Sequence, residues 1–400
     1  LSALILFELL PWPFPTVPIE MPAFYEEVRE SPEAFALADL PVRHLEARRQ
    51  VMFYQIVHQK PIIEGIVART PPEAYAFIEG HPILSAFAED AGPPGLDLSR
   101  RLGALAAADV RFLVLHRRFM TAEQIGRWQA YLPYEAYAQD ETMLVYRTEP
   151  VVGQDLPLAF PVSDDVGLAQ VRLSDRYPRP GDLPALRAAW VATRDPAAAY
   201  RVRWALLDRQ GTEAGSIEGP LCPDWPVEAW SAGDFAWGEY TLPVDLAPGP
   251  YRLQAALLGP EGTAAARDVG SLLVVPADGL PRVDPGAGLR ATFGDWVALL
   301  ELDVIHGEGM LHVQFDWAAL QPLDVDYKVF VHLFDAGGAL VGQADMMPRD
   351  WTAPTSTWRA DRVVSDLVSL DTYGLPAGST VPCRMMRRWS WGSNCHDRTC

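Results

Sequence analysis

Two stretches lying 127 residues apart follow nearly the same pattern. Tyr200-Arg201-Val202-Arg203-Trp204-Ala205-Leu206-Leu207-Asp208 runs into a turn at Gly211. Tyr327-Lys328-Val329-Phe330-Val331-His332-Leu333-Phe334-Asp335 runs into Gly337-Gly338. Apolar residues at alternate positions mark a strand with one buried face. Trp230 and Trp358 follow these strands at the same relative place, within one residue. Each stands 18 residues ahead of a turn proline, Pro248 and Pro376. Self-similarity at a fixed period signals a repeated structural unit. The surrounding strand-like runs, Tyr251 to Leu258 among them, are separated by Gly, Pro and Asp turns, the rhythm of antiparallel sandwiches. The repeat therefore predicts two tandem β-sandwich (Ig-like) domains, over 151–276 and 277–378, with a Pro- and Gly-rich linker from Pro276 to Gly288.

The repeat also exposes a break. After Pro248-Gly249 the first copy continues into an alternating final strand. After Gly378 the second reads Ser379-Thr380-Val381-Pro382-Cys383-Arg384-Met385-Met386, without alternation. The second sandwich is thus read as incomplete, with an open edge, and 379–400 as an aberrant tail whose frame changes near Ser379. Three of the 4 cysteines fall there. Cys383, Cys395, His396 and Cys400 have zinc-binding chemistry but not the spacing of a zinc module.

Ahead of the sandwiches, 16–150 alternates helical and strand patterns. Pro22 to Glu30, Pro72 to Ile78 and Leu98 to Ala108 read as helices, and Ser31-Pro32 reads as an N-cap with Pro at the first helical position. Ala38 to Val42, Val110 to His116 and Glu141 to Arg147 read as strands. Thr121 with Gln124 three residues on is a capping box that opens another helix. This is a small α/β domain. The fold class expected for the chain is therefore multidomain, α/β plus all-β.

Residues 1–15 read as the end of a transmembrane helix and its exit. Leu1 to Leu10 is apolar but shorter than the roughly 20 residues a bilayer needs. Pro11, Pro13 and Pro15 stop it, and Trp12 and Phe14 suit a membrane interface. No Lys or Arg precedes Arg29, so the flank reads as extracytoplasmic. The 52 acidic residues outnumber 33 basic ones, a net charge of −19. That excludes nucleic acid and anionic lipid as natural partners.

Chemistry-bearing motifs are sparse. There is no nucleophile elbow, P-loop or H-E-x-x-H, and no catalytic residue, metal site or cofactor is assigned. Asp324-Val325-Asp326 resembles a metal-holding DxD but directly precedes a strand, which favours a turn. Cys222 stands alone in the main body. Trp317 and Trp351 are the candidate ligand contacts in the second sandwich, because an indole face can stack on a sugar. Trp358 has a repeat counterpart and reads as packing.

Leu37-Ala38-Asp39-Leu40-Pro41-Val42, then Phe53 to Gly65 and Ala68-Arg69-Thr70-Pro71, resemble the soluble region after the last membrane helix of bacterial GT-C-type membrane glycosyltransferases. These are similar to dolichyl-phosphate-mannose–protein mannosyltransferases and their relatives. Phe315-Asp316-Trp317, Asp326 to Leu333 and Pro354 to Trp358 resemble β-domains appended to such proteins. The resemblance implies a non-catalytic extracytoplasmic fragment of a membrane protein using a lipid-linked sugar donor, with the catalytic acid on a portion outside this chain. Within the motif, His58 and Lys60 could approach an anionic donor or acceptor, against a structural turn at Pro61. The alternative is an envelope glycan-binding or structural spacer module of a membrane-anchored protein. A row of exposed aromatics on one sheet face would favour binding, and buried tryptophans a spacer.

Overall fold

The computed structural model describes residues 21–66, 71–260, 262–263, 266–276, 290–335, 337–360, 362–372 and 387–388. The expected membrane segment 1–15, nearly all of the linker and the tail cysteines lie outside the described residues. The chain is mostly β, with several antiparallel sheets and a small N-terminal α/β part. It divides into two compact units, Leu1–Pro94 with Ser99–Pro150, and Gly95–Leu98 with Val151–Cys400. Among the described residues no helix is long and apolar enough to cross a membrane.

The first unit contains α1 (Ala23–Glu30), β1 (Ala36–Leu40), α2 (Leu45–His58), α3 (Ala76–Gly80), α4 (Pro82–Ala88), α5 (Leu98–Ala106, its first residue in the second unit), β2 (Val110–His116), α6 (Ala122–Tyr131), β3 (Ala138–Gln139) and β4 (Met143–Arg147). The sheet order is β1-β2-β4-β3. β1 runs parallel to β2, and β4 antiparallel to it. β2 is buried at all but one position, as a strand covered on both faces must be. The capping box forms at α6: Thr121 Oγ1 accepts from Gln124 N at 3.1 Å, and Gln124 Oε1 accepts from Thr121 N at 2.7 Å.

Ser31 departs from its expected role. It ends α1 instead of starting a helix, its N–H donating to Glu27 O at 3.2 Å. Pro32 behind it disfavours helical backbone at Ser31. The α2 helix runs through the start of the Phe53–Gly65 motif, burying Ala47, Val51, Tyr54 and His58 along one face.

The second unit begins with β5 (Phe160–Pro161), β6 (Val166–Leu173), β7 (Ala185–Ala192), β8 (Arg201–Leu207), β9 (Glu213–Pro220), β10 (Phe235–Thr241), β11 (Gly249–Gly259), β12 (Gly262–Thr263) and β13 (Arg267–Val274). One sheet is ordered β10-β7-β6-β5; the other is β12-β11-β8-β9, with β13 on β11. Their inner faces share one core. Trp190 of β7 and Trp204 of β8 meet there at 5.9 Å, and Trp190 Nε1 donates to the Tyr240 hydroxyl at 3.1 Å.

Next come β14 (Ala291–Phe293), β15 (Val297–His306), β16 (Met310–Ala319), β17 (Tyr327–Phe334), β18 (Leu340–Met346), β19 (Val363–Asp371) and β20 (Arg387–Arg388). They form sheets β14-β15-β16-β19 and β18-β17-β20 around a second core. Among the described residues, β20 pairs with Tyr327 and Lys328 of β17. The repeat is visible in three dimensions. A 3-10 turn leads into Trp230, whose Nε1 donates to Trp225 O at 3.3 Å, five residues back. A matching turn leads into Trp358, whose Nε1 donates to Ala353 O at 3.0 Å.

The two β regions are joined by buried polar groups. One face of β16 lines the second core with Leu311, Val313, Phe315 and Trp317. Its other face, with His312 and Gln314, is also buried, because β13 packs there. Arg176 donates to Ser271 Oγ at 3.2 Å, to Ser369 Oγ at 3.3 Å and to Asp350 at 2.8 Å. The Tyr177 hydroxyl donates to Asp366 Oδ1 at 2.8 Å. Asp268 Oδ2 accepts from Arg252 Nη1 and from Glu308 N, each at 2.7 Å. Burial pushes the His312 imidazolium down to about 4 and holds the Asp366 carboxyl above its usual range.

Candidate functional site

In the first unit the parallel strands β1 and β2 end side by side. In open α/β sheets the carboxyl ends of parallel strands are where ligand sites form. Here they carry Asp39 and His116. Asp39 Oδ1 accepts from the Tyr25 hydroxyl of α1 and lies 2.9 Å from His116 Nε2. The hydroxyl is 3.2 Å from that same nitrogen. All three side chains are buried. Burial, reinforced by the Asp39 charge, raises the Tyr25 phenol well above its usual value, so it remains a proton donor. Tyr54 stacks on Tyr25 at 4.5 Å.

Among the described residues, Asp39 Oδ2 and Arg48 Nε find no hydrogen-bond partner. Both residues line a cavity of about 10 Å³, together with Glu64, which pairs with Arg48 at 3.3 Å. That is room for about one water. A cleft of about 250 Å³ lies between the loop after β1 (Pro41 to His44) and the segment after β2 (Phe119, Met120), with Asp90, Gln124 and Trp128 on its walls. The Tyr25–Asp39–His116 cluster does not line it. The cluster can hold and share a proton, but it is enclosed in packing. Nothing in the sequence pattern connects these three residues. The available signal was an aspartate and a histidine closing two otherwise apolar strands.

The four expected ligand contacts have different surroundings. His58 ends α2 and is 1% exposed. Its ring stacks on Tyr25 at 5.3 Å and its Nδ1 accepts from Lys60 N at 3.0 Å. Burial lowers its pKa. Lys60 Nζ donates to Ser31 O at 2.7 Å and Glu33 O at 2.6 Å. These bonds are those of a pinned turn. Trp317 is 0% exposed, stacked on Phe315 at 5.3 Å in the second core. As a ligand contact it is therefore corrected to a packing residue, because strand alternation turns it inward. Trp351 is 52% exposed, with Lys328 Nζ 4.7 Å above its ring.

The other motifs resolve into local structure. Asp326 Oδ1 accepts from Ser356 N at 2.9 Å, tying the turn before β17. Burial raises the Cys222 thiol to about 11, which leaves it protonated and unreactive at neutral pH. Among the described residues no group of three His, Cys, Asp or Glu side chains is placed to hold a metal.

No family model and no curated protein matches the chain. Among solved structures, the C-terminal domain of wzt is a neighbour at 12% identity and a TM-score of 0.24, covering 34% of this chain and 86% of that one.

Proposed function

We propose that this chain is a non-catalytic extracytoplasmic arm of a GT-C-type membrane glycosyltransferase-like protein that uses a lipid-linked sugar donor. In this reading a small α/β domain near the membrane surface is followed by two tandem Ig-like sandwiches, the second incomplete. The observation that carries the arm is the joint between the two β regions. Arg176, Tyr177, Asp268 and Glu308 tie β13 and its neighbours to the β15–β16 turn and to β19 through part-buried, charge-assisted bonds. Such bonds are costly to break singly, because each leaves a buried partner unmatched. A joint of that kind transmits position. The enclosed Tyr25–Asp39–His116 cluster and the pinned Lys60 are likewise suited to holding a fold.

Two measurements test the reading. Sequencing the coding region upstream of Leu1 should reveal several apolar spans of about 20 residues. A lone signal peptide or single anchor there would overturn the glycosyltransferase parentage. The isolated chain, incubated with a polyprenyl-phosphate sugar and an acceptor, should transfer nothing. Transfer would overturn the non-catalytic assignment.

A further inference from the structure

Helix α2 carries apolar residues on two opposite sides. Its buried stripe is Ala47, Val51, Tyr54 and His58, and Tyr54 joins the core formed with α1, β1 and β2. On the other side, Leu45 is 47% exposed, Phe53 38% and Ile56 69%. At about 100° per residue these three fall within an arc of about 80°, across the helix from the buried stripe. Among the described residues, every exposed large apolar side chain of the first unit is one of these three. An apolar stripe on a helix marks the side that leaves water. The core accounts for one stripe of α2 and leaves the other open.

The ions around the second stripe cancel. Arg49 lies inside the arc and pairs with Glu46 at 2.7 Å, and Arg48 beside it pairs with Glu64 at 3.3 Å. The complement of this face is therefore an apolar surface without net charge. The residues ahead of α1 point to which surface. Leu1 to Leu10 is an apolar run, followed by Trp12 and Phe14, residue types that settle at a bilayer interface. From Pro15 to Ala23, the first residue of α1, an extended chain spans no more than about 30 Å. α1 packs on α2, with Tyr25 stacked 4.5 Å from Tyr54. A membrane entered by the Leu1–Leu10 run is thus within reach of α2.

We infer that α2 lies on a lipid bilayer without net charge, with Leu45, Phe53 and Ile56 sunk into the interface and Arg49 turned up to the headgroups. A helix lying in the interface plane binds through the apolar area it buries there. The Arg49 stem adds to that area while its guanidinium stays in the polar layer. Anionic lipid is disfavoured, because the chain carries −19. The contact sets the orientation of the α/β domain on the membrane. The inference rests on the membrane-proximal placement proposed above and not on the transferase parentage.

The experiment is co-sedimentation of the full chain with phosphatidylcholine vesicles, with and without Phe53→Gln combined with Ile56→Gln. Glutamine is a good helix former and both positions reach water, so α2 is retained. An unchanged melting temperature checks this. The Leu1–Leu10 run is present in both proteins, so the readout is the ratio of their partition constants. The double variant should partition about tenfold more weakly, equivalent to about 1.4 kcal/mol. Leu183→Gln, at a leucine 65% exposed in the second unit, should leave partition unchanged. Equal partition of wild type and double variant would overturn the inference, as would no wild-type binding at about 10 mM lipid. Wild-type self-association that the double variant abolishes would assign the face to a second copy instead. Faster chymotryptic cleavage at Trp12 or Phe14 in the double variant, without vesicles, would assign it to the Leu1–Leu10 run. A single anchor helix encoded upstream of Leu1 would overturn the transferase parentage and leave the vesicle result standing.

Discussion

Gly307→Ala should unlock the joint between the two β regions. Gly307 lies in the turn between β15 and β16, and its φ is outside the left-handed region, so alanine meets no backbone penalty there. The cost is steric. A Cβ at this position would overlap Asp268 Oδ2, and would stand 3.0 Å from Asp268 Cγ and 3.2 Å from Met310 O. Asp268 has nowhere cheap to go. Its side chain is fully buried and its Oδ2 accepts from Arg252 Nη1 and Glu308 N. Moving the carboxylate weakens two charge-assisted bonds, each contributing about 1.5–3 kcal/mol. Partial relaxation recovers some of this, so a loss of about 3 kcal/mol is expected. Urea unfolding followed by tryptophan emission reads it, since Trp190, Trp204 and Trp317 all lie in this unit. In an Asp268→Ala background the same glycine change should cost less than about 0.5 kcal/mol, because its clash is gone. Gly103→Ala is the opposite control: nothing lies within 4 Å of its Cβ site in α5, and a gain of about 0.5–1 kcal/mol is expected. If Gly307→Ala unfolds with the wild type, Asp268 is not held as described and the joint cannot be what fixes the arm.

Three further outcomes are expected. His312 is held neutral by burial, with a folded pKa of about 4 against an ordinary 6.5. Its contribution is therefore complete above about pH 6.5 and is lost as pH falls toward about 4. His312→Gln should lose roughly 3 kcal/mol less than the wild type across that interval, measured by urea midpoints at stepped pH. Lys60→Met should cost the first unit about 1–2 kcal/mol by removing two bonds to backbone carbonyls, read as a lower urea midpoint of that unit. Thr121→Ala should cost about 1 kcal/mol through loss of the α6 cap, read as a lower melting temperature of the first unit.

Some of this architecture can be read residue by residue. The alternation in Tyr327 to Phe334 specifies a strand and which side chains share a face, because successive residues in a strand must point opposite ways. Thr121 and Gln124 announce a helix start because their side chains satisfy backbone N–H groups that no helix can satisfy internally. The paired Trp230 and Trp358 mark matching turns because each indole closes a bond to a carbonyl five residues back. These are local relations, set by covalent geometry and near neighbours. Helix α2 was less legible: its apolar residues spread around the helix, so the buried stripe of Ala47, Val51, Tyr54 and His58 emerges only against its packing partners.

Other properties depend on what covers each face, which a linear pattern does not carry. Trp317 and Trp351 look equally available as letters. One is sealed in a core and the other is half in water, because β16 packs inward and the loop before Pro354 does not. Asp39 and His116 are 77 residues apart and meet because β1 and β2 run parallel. The second face of β16 carries His312 and Gln314, polar residues opposite its core-facing side chains. It is buried because β13 lies across it, and that single packing choice shifts the His312 pKa and turns the Gly307 turn into a fastening. Local sequence decides which residues share a face; tertiary packing decides whether that face meets water or a neighbouring sheet.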